Sequence, residues 1–407
     1  MPTRVEKHLI RSSSPYFKMI SEYCHLAKNL YNQANYILRQ NFINERKIIG
    51  YCELDRILKA DKEYPNYRLM PLAQSAQQVL RILNKNWKGY FAAAKDYKKN
   101  PSKYQGRPKL PKYKKKDGMF VLTLTNQNCK LKDGVLIFPQ KFKDFKVKAK
   151  FAEKSYKSFQ QVRFVPDGTN IMLEIVYEIE ETKPKSDNGR YAGIDIGIDN
   201  LLTVATNDGQ NPFIVNGKIP KSINQFYNKE LARRKSICQK ENSSYSSKEI
   251  KKLTAKRNRK IEDYMHKASR LVVKECVGRG INTIIIGKND GWKQESKLSK
   301  KVNQHFVQMP FAKLIEMIKY KAEDMGITVI VTEESYTSGT SFLDNELPVK
   351  ENYDKKRRIQ RGLFKTRNGK IINADVNGAF QIMRKVFPKL LGRRDRGRVL
   401  RPLLWQV

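Results

Sequence analysis

Apolar positions in the first quarter of the chain recur at the three- and four-residue spacing of amphipathic helices. One stripe covers residues 20–38, and a second covers residues 72–97 and follows Pro71, a favourable residue for a first helical turn. The Lys- and Tyr-rich stretch between them is also expected to be helical. The pattern predicts a helical domain of about 110 residues, preceded by a short strand at residues 5–10.

Prolines and a glycine exclude regular structure from the basic linker, residues 98–118, where tyrosines alternate with cations. A charge run alone is more often a solvated linker. Here its position between two basic regions favours contact with phosphates and stacking on bases. The candidate contacts are Tyr104, Arg107, Lys109 and Tyr113.

Alternating apolar residues predict antiparallel strands over residues 119–180. Asp133-Gly134 and Pro166-Asp-Gly168 are typical hairpin turns between them. A small antiparallel barrel or sheet is expected, completed by the strand at residues 5–10. A polar linker at residues 182–190 then ends this part of the chain.

Three further strands follow closely on one another, and helices and strands alternate after them. The predicted strands are 191–196, 201–206, 213–215, 281–286 and 327–331, and the predicted helices are 222–240, 246–277, 310–324 and 374–387. This order predicts an α/β fold of the ribonuclease H-like class.

Composition indicates a polyanionic partner. The 407 residues include 81 Lys and Arg against 40 Asp and Glu, a formal net charge of +41. A ribosomal-type basic protein is the plain alternative. The helix predicted at 246–277 carries one basic face, with candidate nucleic-acid contacts at Lys252, Lys256, Arg257, Arg259 and Lys260.

Other classes of protein fit poorly. No apolar run reaches the roughly 18 residues of a spanning helix, and the start lacks the apolar stretch of a secretory signal, so a cytoplasmic protein without a membrane partner is expected. Five scattered cysteines without a C-x-x-C pair, and four scattered histidines, predict neither a disulfide framework nor a zinc site.

Three acidic residues stand at the edges of segments that resemble buried core elements: Asp195, Glu334 and Asp375. A carboxylate in apolar surroundings is costly unless a cation or hydrogen bonds compensate. Three of them predict a hard, oxygen-liganded site for Mg²⁺. In so basic a chain, this site predicts cleavage of nucleic acid by two metal ions. Each acid alone could equally be a helix cap, a turn residue or half of a salt bridge.

Several short motifs together resemble the TnpB family of transposon-encoded proteins, which is related to the type V CRISPR effectors. The motifs, in order, are Gly106-Arg-Pro-Lys-Leu-Pro-Lys-Tyr113, Gly193-Ile-Asp-Ile-Gly197, His266-Lys-Ala-Ser-Arg270, Tyr336-Thr-Ser338 and Asn373-Ala-Asp-Val-Asn-Gly-Ala379. Each is weak alone, whereas their order and spacing are specific.

The resemblance implies an RNA-guided DNA endonuclease. Its expected partners are a guide RNA from the transposon end and a double-stranded DNA target beside a short flanking motif. Three domains are implied: a helical recognition domain at 13–118, a split wedge barrel at 1–12 and 119–185, and a RuvC nuclease domain at 190–407 with a basic helical insertion at about 222–277.

The chain departs from the common family pattern at the second catalytic acid, where Gly287 stands. A subset of TnpB proteins, and the related Fanzor proteins, supply a relocated glutamate from the next strand. Glu334, two residues before Tyr336, is the preferred candidate and adjacent Glu333 is the alternative. Asp290 is a weaker substitute.

A second departure is the absence of the family's paired cysteines between Tyr336 and Asp375. A structural zinc site needs about four thiolate or imidazole ligands, so no zinc is expected. Packing of Phe342 and Leu343, or nucleic acid, is expected to hold this segment instead. The Arg-rich segment 393–398 is expected to bind RNA or to be disordered.

Two other functions remain open from the sequence. A guided DNA-binding repressor without cleavage would have lost an acid, and Gly287 is the one hint of such a loss. A protein-only junction resolvase would need neither the large helical domain nor so high a charge.

Overall fold

The computed structural model describes residues 2–153, 156–242, 245–289, 300–389 and 402–405. The chain forms two compact units, Met1–Glu181 and Thr182–Val407. In the described ranges, no helix is long and apolar enough to cross a membrane. Asp290 and the Arg-rich segment 393–398 lie outside the described residues.

The first half of the first unit is a strand followed by helices: β1 (Thr3–Ile10), α1 (Phe17–Asn44), α2 (Tyr51–Ala60), α3 (Asn66–Leu69) and α4 (Ala73–Lys99). The predicted stripes are confirmed, because Ile20, Leu30 and Ala34 of α1 and Leu83 of α4 are fully buried. Burial of such a stripe is the main source of a helix's stability in a folded protein.

The basic linker has one short 3₁₀ turn, Pro101–Lys103, and otherwise no regular structure up to residue 121. Side chains of α1 bind its backbone: Asn32 Nδ2 donates to the Lys114 carbonyl at 2.9 Å, and Asn35 Nδ2 donates to the Pro111 carbonyl at 3.0 Å. These bonds fix the course of the linker along the helix.

The second half of this unit consists of short strands: β2 (Leu122–Thr125), β3 (Lys130–Lys132), β4 (Val135–Ile137), β5 (Lys146–Lys148), β6 (Ser158–Asp167) and β7 (Asn170–Glu178). They form a four-stranded sheet in the order β1-β7-β6-β2 and a three-stranded sheet, β3-β4-β5. β1 pairs antiparallel with β7, as predicted for the strand at residues 5–10.

The expected hairpin at Asp133-Gly134 is present, with φ of 49° and 72° at the two residues, as a type I′ turn requires. Within the described part of the first unit, the paired strands form two sheets rather than one closed barrel. Helices and sheets share a single hydrophobic cluster that includes Ile20, Leu83 and Phe164.

The second unit contains β8 (Tyr191–Ile196), β9 (Asn200–Thr206), β10 (Phe213–Asn216), α5 (Lys218–Asn242), α6 (Lys248–Gly278), β11 (Thr283–Gly287), α7 (Lys300–Gln308), α8 (Phe311–Glu323), β12 (Thr328–Thr332), β13 (Leu363–Lys365), β14 (Ile371–Asn373), α9 (Ala374–Val386) and β15 (Leu403–Trp405). The sequence predicted the longer elements, whereas α7, the β13–β14 hairpin and β15 were not predicted.

One six-stranded sheet organises this unit in the order β12-β11-β8-β9-β10-β15. β8, β11 and β12 run parallel, while β9 is antiparallel to both β8 and β10. β12 was expected to be a buried core strand, but it is an edge strand with Thr328 and Val331 exposed. The carboxyl ends of β8, β11 and β12 therefore meet at one edge of the sheet.

Candidate active site

The three predicted acids come from three different elements at this sheet edge. Asp195 lies near the end of β8, Glu334 follows β12, and Asp375 lies in the first turn of α9. Asn373 caps α9, because its side chain accepts hydrogen bonds from the backbone of Asp375 and Val376, each at 3.0 Å. All three acids line one cleft of about 580 Å³.

The cleft concentrates negative charge. Burial, and then the charges of Asp375 and Glu334, raise the pKa of Asp195 well above its usual value. Burial, and then the charge of Glu333, raise the pKa of Glu334 to about 7. Carboxylates so placed favour a cation or a proton between them.

Neutral and cationic partners hold two of the acids. Asn200 Nδ2 donates to Asp375 Oδ2 at 2.7 Å, and the Arg358 guanidinium lies 3.5 Å from Asp375 Oδ1. Asn289 Nδ2 donates to Glu334 Oε1 at 3.1 Å. These contacts set the direction in which each carboxylate faces.

Two motif glycines allow α9 to lie directly on β8. A Cβ at Gly193 would stand 2.1 Å from the carbonyl oxygen of Ala379, and a Cβ at Gly378 would stand 2.9 Å from Asp195 Oδ2. Real Cβ atoms do not come so close to a backbone oxygen, so position 193 requires glycine, whereas a Cβ at position 378 would press on the Asp195 carboxylate and displace it. The glycines of the two motifs therefore bring Asp195 and Asp375 together.

Position 287 explains how a glutamate from the next strand can reach the cleft. A Cβ at Gly287 would stand 2.9 Å from Glu334 Oε2 and 2.5 Å from Ile382 Cδ1. The Glu334 carboxylate thus occupies the space above position 287. This is the position at which the family resemblance expects an acid.

Glu333 faces elsewhere. Its carboxylate is exposed and lies 3.1 Å from Lys385 Nζ, and hydrogen bonds from Ser335 and Lys385 lower its pKa. It does not line the cleft. The geometry favours Glu334 over Glu333 as the third acid of the site.

The donor atoms fit a hard divalent cation, because all three acids offer carboxylate oxygens and two of them have raised pKa values. Within the described ranges, however, no three Asp, Glu, His or Cys side chains are close enough to enclose an ion. Asn200 and Asn289 each donate to one oxygen only, so the carboxylates of Asp375 and Glu334 keep further lone pairs for a bound ion.

The predicted nucleic-acid contacts of the first unit lie on the basic linker. Arg107 and Lys109 are exposed. The Tyr104 hydroxyl donates to Asp96 at 2.8 Å, and the Arg39 guanidinium lies 5.0 Å above the exposed ring of Tyr113. Tyr104 is therefore engaged with a carboxylate, whereas Arg107, Lys109 and Tyr113 present surface to solvent.

The basic face of α6 is partly different from the prediction. Lys252, Lys256 and Lys260 form an exposed ridge at four-residue spacing, and Arg259 is half-buried. Arg257 does not lie on this exposed face, contrary to the prediction. Its guanidinium points inward and donates to Asn224 Oδ1 at 2.7 Å and to the Gln308 carbonyl at 2.9 Å. Burial lowers the pKa of Arg257.

The segment in which the family has a zinc ribbon is held by side chains. Phe342 is buried as predicted and stacks on Phe380 with ring centroids 4.2 Å apart. Arg357 binds Asp344 Oδ2 at 2.5 Å and Glu346 Oε2 at 2.7 Å, and all three side chains are nearly buried. No motif or periodicity in the sequence indicates this ion-pair cluster.

Other residues of the cleft were also missed from the sequence. Asn200, Asn289, Tyr353 and Arg358 line it, although none of them belongs to a recognised motif. Tyr336 belongs to the Tyr-Thr-Ser motif, but the sequence predicted no role for it in the cleft beyond marking the position of Glu334. Asn is common in turns, so the residue type alone carries little information at positions 200 and 289.

Two family models match parts of the chain from residue 174 onward. The model OrfB_IS605, described as a probable transposase, matches residues 174–293, and the Cas12f1-like TNB domain model matches residues 311–382. Asp195 lies within the first match, and Glu334 and Asp375 lie within the second.

A curated relative matches over nearly the whole chain. The TnpB-like protein ORF457 of Acidianus two-tailed virus is 24% identical over 396 residues, which cover 88% of this chain and 81% of the viral protein. This alignment extends the likeness beyond the two matched models.

Solved structures give a weaker likeness. A Cas12f1–sgRNA–target DNA complex is 17% identical, with a TM-score of 0.36 over 94% of this chain and 99% of that chain. CasPhi-2 (Cas12j) bound to crRNA is 10% identical, with a TM-score of 0.43 over 94% and 98%. By the two family models, the viral relative and the ordered motifs, the chain is similar to TnpB proteins.

Proposed function

We propose that the protein is an RNA-guided DNA endonuclease of a transposable element, which hydrolyses phosphodiester bonds with two Mg²⁺ ions. The observation that carries the proposal is that Asp195, Glu334 and Asp375 line one cleft although they are distant in the chain. The sheet order and strand directions of the second unit, three antiparallel strands followed by two parallel ones, support a ribonuclease H-like nuclease.

In this proposal, Asp195, Glu334 and Asp375 hold the ions, and Asn200 and Asn289 orient two of the carboxylates. The chemistry that bound ions supply is activation of a water and stabilisation of the departing 3′-oxygen. The Arg358 guanidinium, beside Asp375, is placed to contact a phosphate oxygen of the substrate.

We propose the roles of the remaining parts of the chain from its resemblance to the TnpB family. Residues 13–118 would form the recognition part, residues 1–12 and 119–185 the wedge, and residues 190–407 the nuclease, with the basic insertion at about 222–277. The net charge of +41 supports binding of both a guide RNA and double-stranded DNA beside a short flanking motif.

Relocation of the second acid distinguishes this proposal from a guided DNA-binding repressor without cleavage. Gly287 alone would suggest a lost acid, but the Glu334 carboxylate lies directly above it. A repressor has no need of a third carboxylate at this point. The high charge and the helical first unit also disfavour a protein-only resolvase.

The test is expression with the flanking transposon-end RNA, followed by cleavage of a plasmid library with randomised flanks. We expect cleavage beside one short motif, loss of cleavage in Asp195→Ala, Glu334→Ala and Asp375→Ala, and retained cleavage in the matched control Glu333→Ala. Binding without cleavage by the parent protein would favour the repressor. Robust cutting after RNase removal of bound RNA would contradict the guided mechanism.

A further inference from the structure

An exposed tyrosine in a strained backbone conformation stands at the mouth of the acid cleft. Tyr336 has φ of 66°, in the left-handed region that bulky residues rarely adopt, and its side chain is 37% exposed. Such strain persists only where surrounding contacts enforce it, and it concentrates at functional sites.

The contacts that enforce it tie Tyr336 to a proposed catalytic acid. Thr337 donates from its backbone and from Oγ1 to the Glu334 carbonyl, at 3.3 and 2.8 Å. Thr340 Oγ1 donates to the Tyr336 carbonyl at 2.8 Å. The turn that places Glu334 in the cleft therefore also places the Tyr336 ring at its mouth.

A second tyrosine is positioned beside the first by a glycine. The rings of Tyr353 and Tyr336 have centroids 5.7 Å apart at an interplanar angle of 73°. A Cβ at Gly339 would stand 2.5 Å from the Tyr353 ring, and the Asp354 backbone donates to the Gly339 carbonyl at 3.0 Å. The ring lies directly on the Gly339 backbone, where a larger residue would displace it.

Both rings offer apolar surface to solvent next to the carboxylates. Tyr353 is 38% exposed, both tyrosines line the cleft, and in the part of the chain that the structure describes neither hydroxyl makes a hydrogen bond. The packing of this unit does not use the exposed ring surface. Aromatic faces of this kind stack on unpaired nucleobases with little sequence preference.

We propose that Tyr336 and Tyr353 form an aromatic clamp next to the scissile phosphate, in which one ring stacks on an unpaired nucleobase and the other, packed edge to face against it, holds that ring in place. This inference rests on the proposed nuclease function and adds the state of the substrate at the cleft. A base inside a duplex is already stacked on both faces, so the clamp selects a strand that is locally unpaired.

The test uses the full chain bearing Asp195→Asn, so that no probe is cut. A short single-stranded oligodeoxynucleotide with one 2-aminopurine reports stacking by loss of its fluorescence. We expect Tyr336→Ala and Tyr353→Ala each to weaken this quenched complex about tenfold, whereas Tyr336→Phe and Tyr353→Phe retain it. Tyr245→Ala, at an exposed tyrosine outside the cleft lining, is the matched control.

The readout separates the clamp from the nuclease. The clamp is contradicted, and the nuclease stands, under two conditions together. The parent protein cleaves DNA, and both alanine variants bind the probe with the same fluorescence loss and affinity as the Asp195→Asn protein. Loss of quenching in the phenylalanine variants would also overturn the clamp, because the hydroxyl rather than the ring face would then be required. If the parent neither cleaves DNA nor quenches the probe, both proposals fail.

Discussion

Asp195 and Glu334 are held where their charged forms are disfavoured. Burial is the first cause for both, and neighbouring carboxylates add to it. Without a cation, the folded protein must either protonate these carboxyls or carry this electrostatic penalty. An ion in the cleft would remove it, so the same residues link stability, pH and metal binding.

The first prediction concerns pH in the absence of metal. The pKa of Glu334 is raised from 4.5 to about 7, so between these values the folded protein binds more protons than the unfolded chain. Stability therefore falls as pH rises through this window. Glu334→Gln is expected to raise the free energy of unfolding above pH 7 by on the order of 1–3 kcal/mol.

Urea unfolding in EDTA at several pH values measures this effect. The two proteins are expected to converge below about pH 4.5, where the parent's glutamate is protonated in both states. Glu333→Gln, at the exposed neighbour, is the matched control and should keep most of the parent's pH dependence, because burial is the larger cause of the raised Glu334 pKa. Equal pH profiles for the parent and Glu334→Gln would contradict the burial of Glu334.

The second prediction concerns moving the carboxylate from position 334 to position 287. Gly287→Asp alone is expected to lower cleavage, because its Cβ would collide with Ile382 and with the Glu334 carboxylate. In a Glu334→Ala background the second collision is gone, so Gly287→Asp should recover part of the activity lost by Glu334→Ala. Equal cleavage rates for Glu334→Ala with and without Gly287→Asp would contradict a shared location of the two acids.

The sequence predicted that the three acids form a site, because each interrupts an apolar segment. A carboxylate in such surroundings is costly unless a cation or hydrogen bonds compensate. The sequence left Glu333 and Glu334 open, because β12 ends at Thr332 and strand alternation no longer assigns a side to either one. Arg257 was misplaced because helical periodicity gives a face but does not show that Asn224 and Gln308 come to meet its guanidinium.

At the scale of elements, the contact between β8 and α9 is what builds the cleft. It depends on Gly193, where any side chain would collide with the α9 backbone, and on Gly378, where a side chain would displace the Asp195 carboxylate. The long elements that carry this contact follow from periodicity. The short β13, β14 and β15 do not, because three residues are too few to show a period.

The third prediction concerns the segment beside the cleft. Arg357→Ala would leave Asp344 without its cationic partner and Glu346 with Arg367 alone, although the two carboxylate side chains are only 8% and 4% exposed. Breaking one partner of a buried ion pair costs about 3–5 kcal/mol of stability. Arg367→Ala removes an exposed partner of the same Glu346 and is expected to cost less than about 1 kcal/mol.

Thermal and urea unfolding of the second unit measure the difference between the two variants. Treatment with a zinc chelator is expected to leave the melting temperature of the parent unchanged. Similar losses for Arg357→Ala and Arg367→Ala would show that the buried pair does not hold the segment.

At the scale of the molecule, an excess of 41 positive charges makes affinity for nucleic acid depend on salt. Each phosphate neutralised releases counterions, so the logarithm of the binding constant falls linearly with the logarithm of salt concentration. We expect binding of a non-specific duplex to weaken at least about a hundredfold between 50 and 200 mM salt.

The fourth prediction locates part of this charge on α6. Charge reversal of Lys252, Lys256 and Lys260 to Glu is expected to remove about three phosphate contacts. The slope of the logarithm of the binding constant against the logarithm of salt concentration should become shallower by the corresponding amount. A triple reversal on the three-stranded sheet of the first unit changes the net charge equally and serves as the control: Lys130→Glu, Lys132→Glu and Lys146→Glu. Equal reductions in slope would mean that net charge, rather than the α6 ridge, determines binding.

The central claim is that Asp195, Glu334 and Asp375 jointly hold the catalytic ions, and Mn²⁺ binding followed by electron paramagnetic resonance tests it most directly. Mn²⁺ accepts the same oxygen ligands as Mg²⁺. The account predicts bound Mn²⁺ in the parent and in Glu333→Gln, and loss of that signal in Asp195→Asn, Glu334→Gln and Asp375→Asn. Binding by Glu334→Gln equal to that of the parent would contradict it.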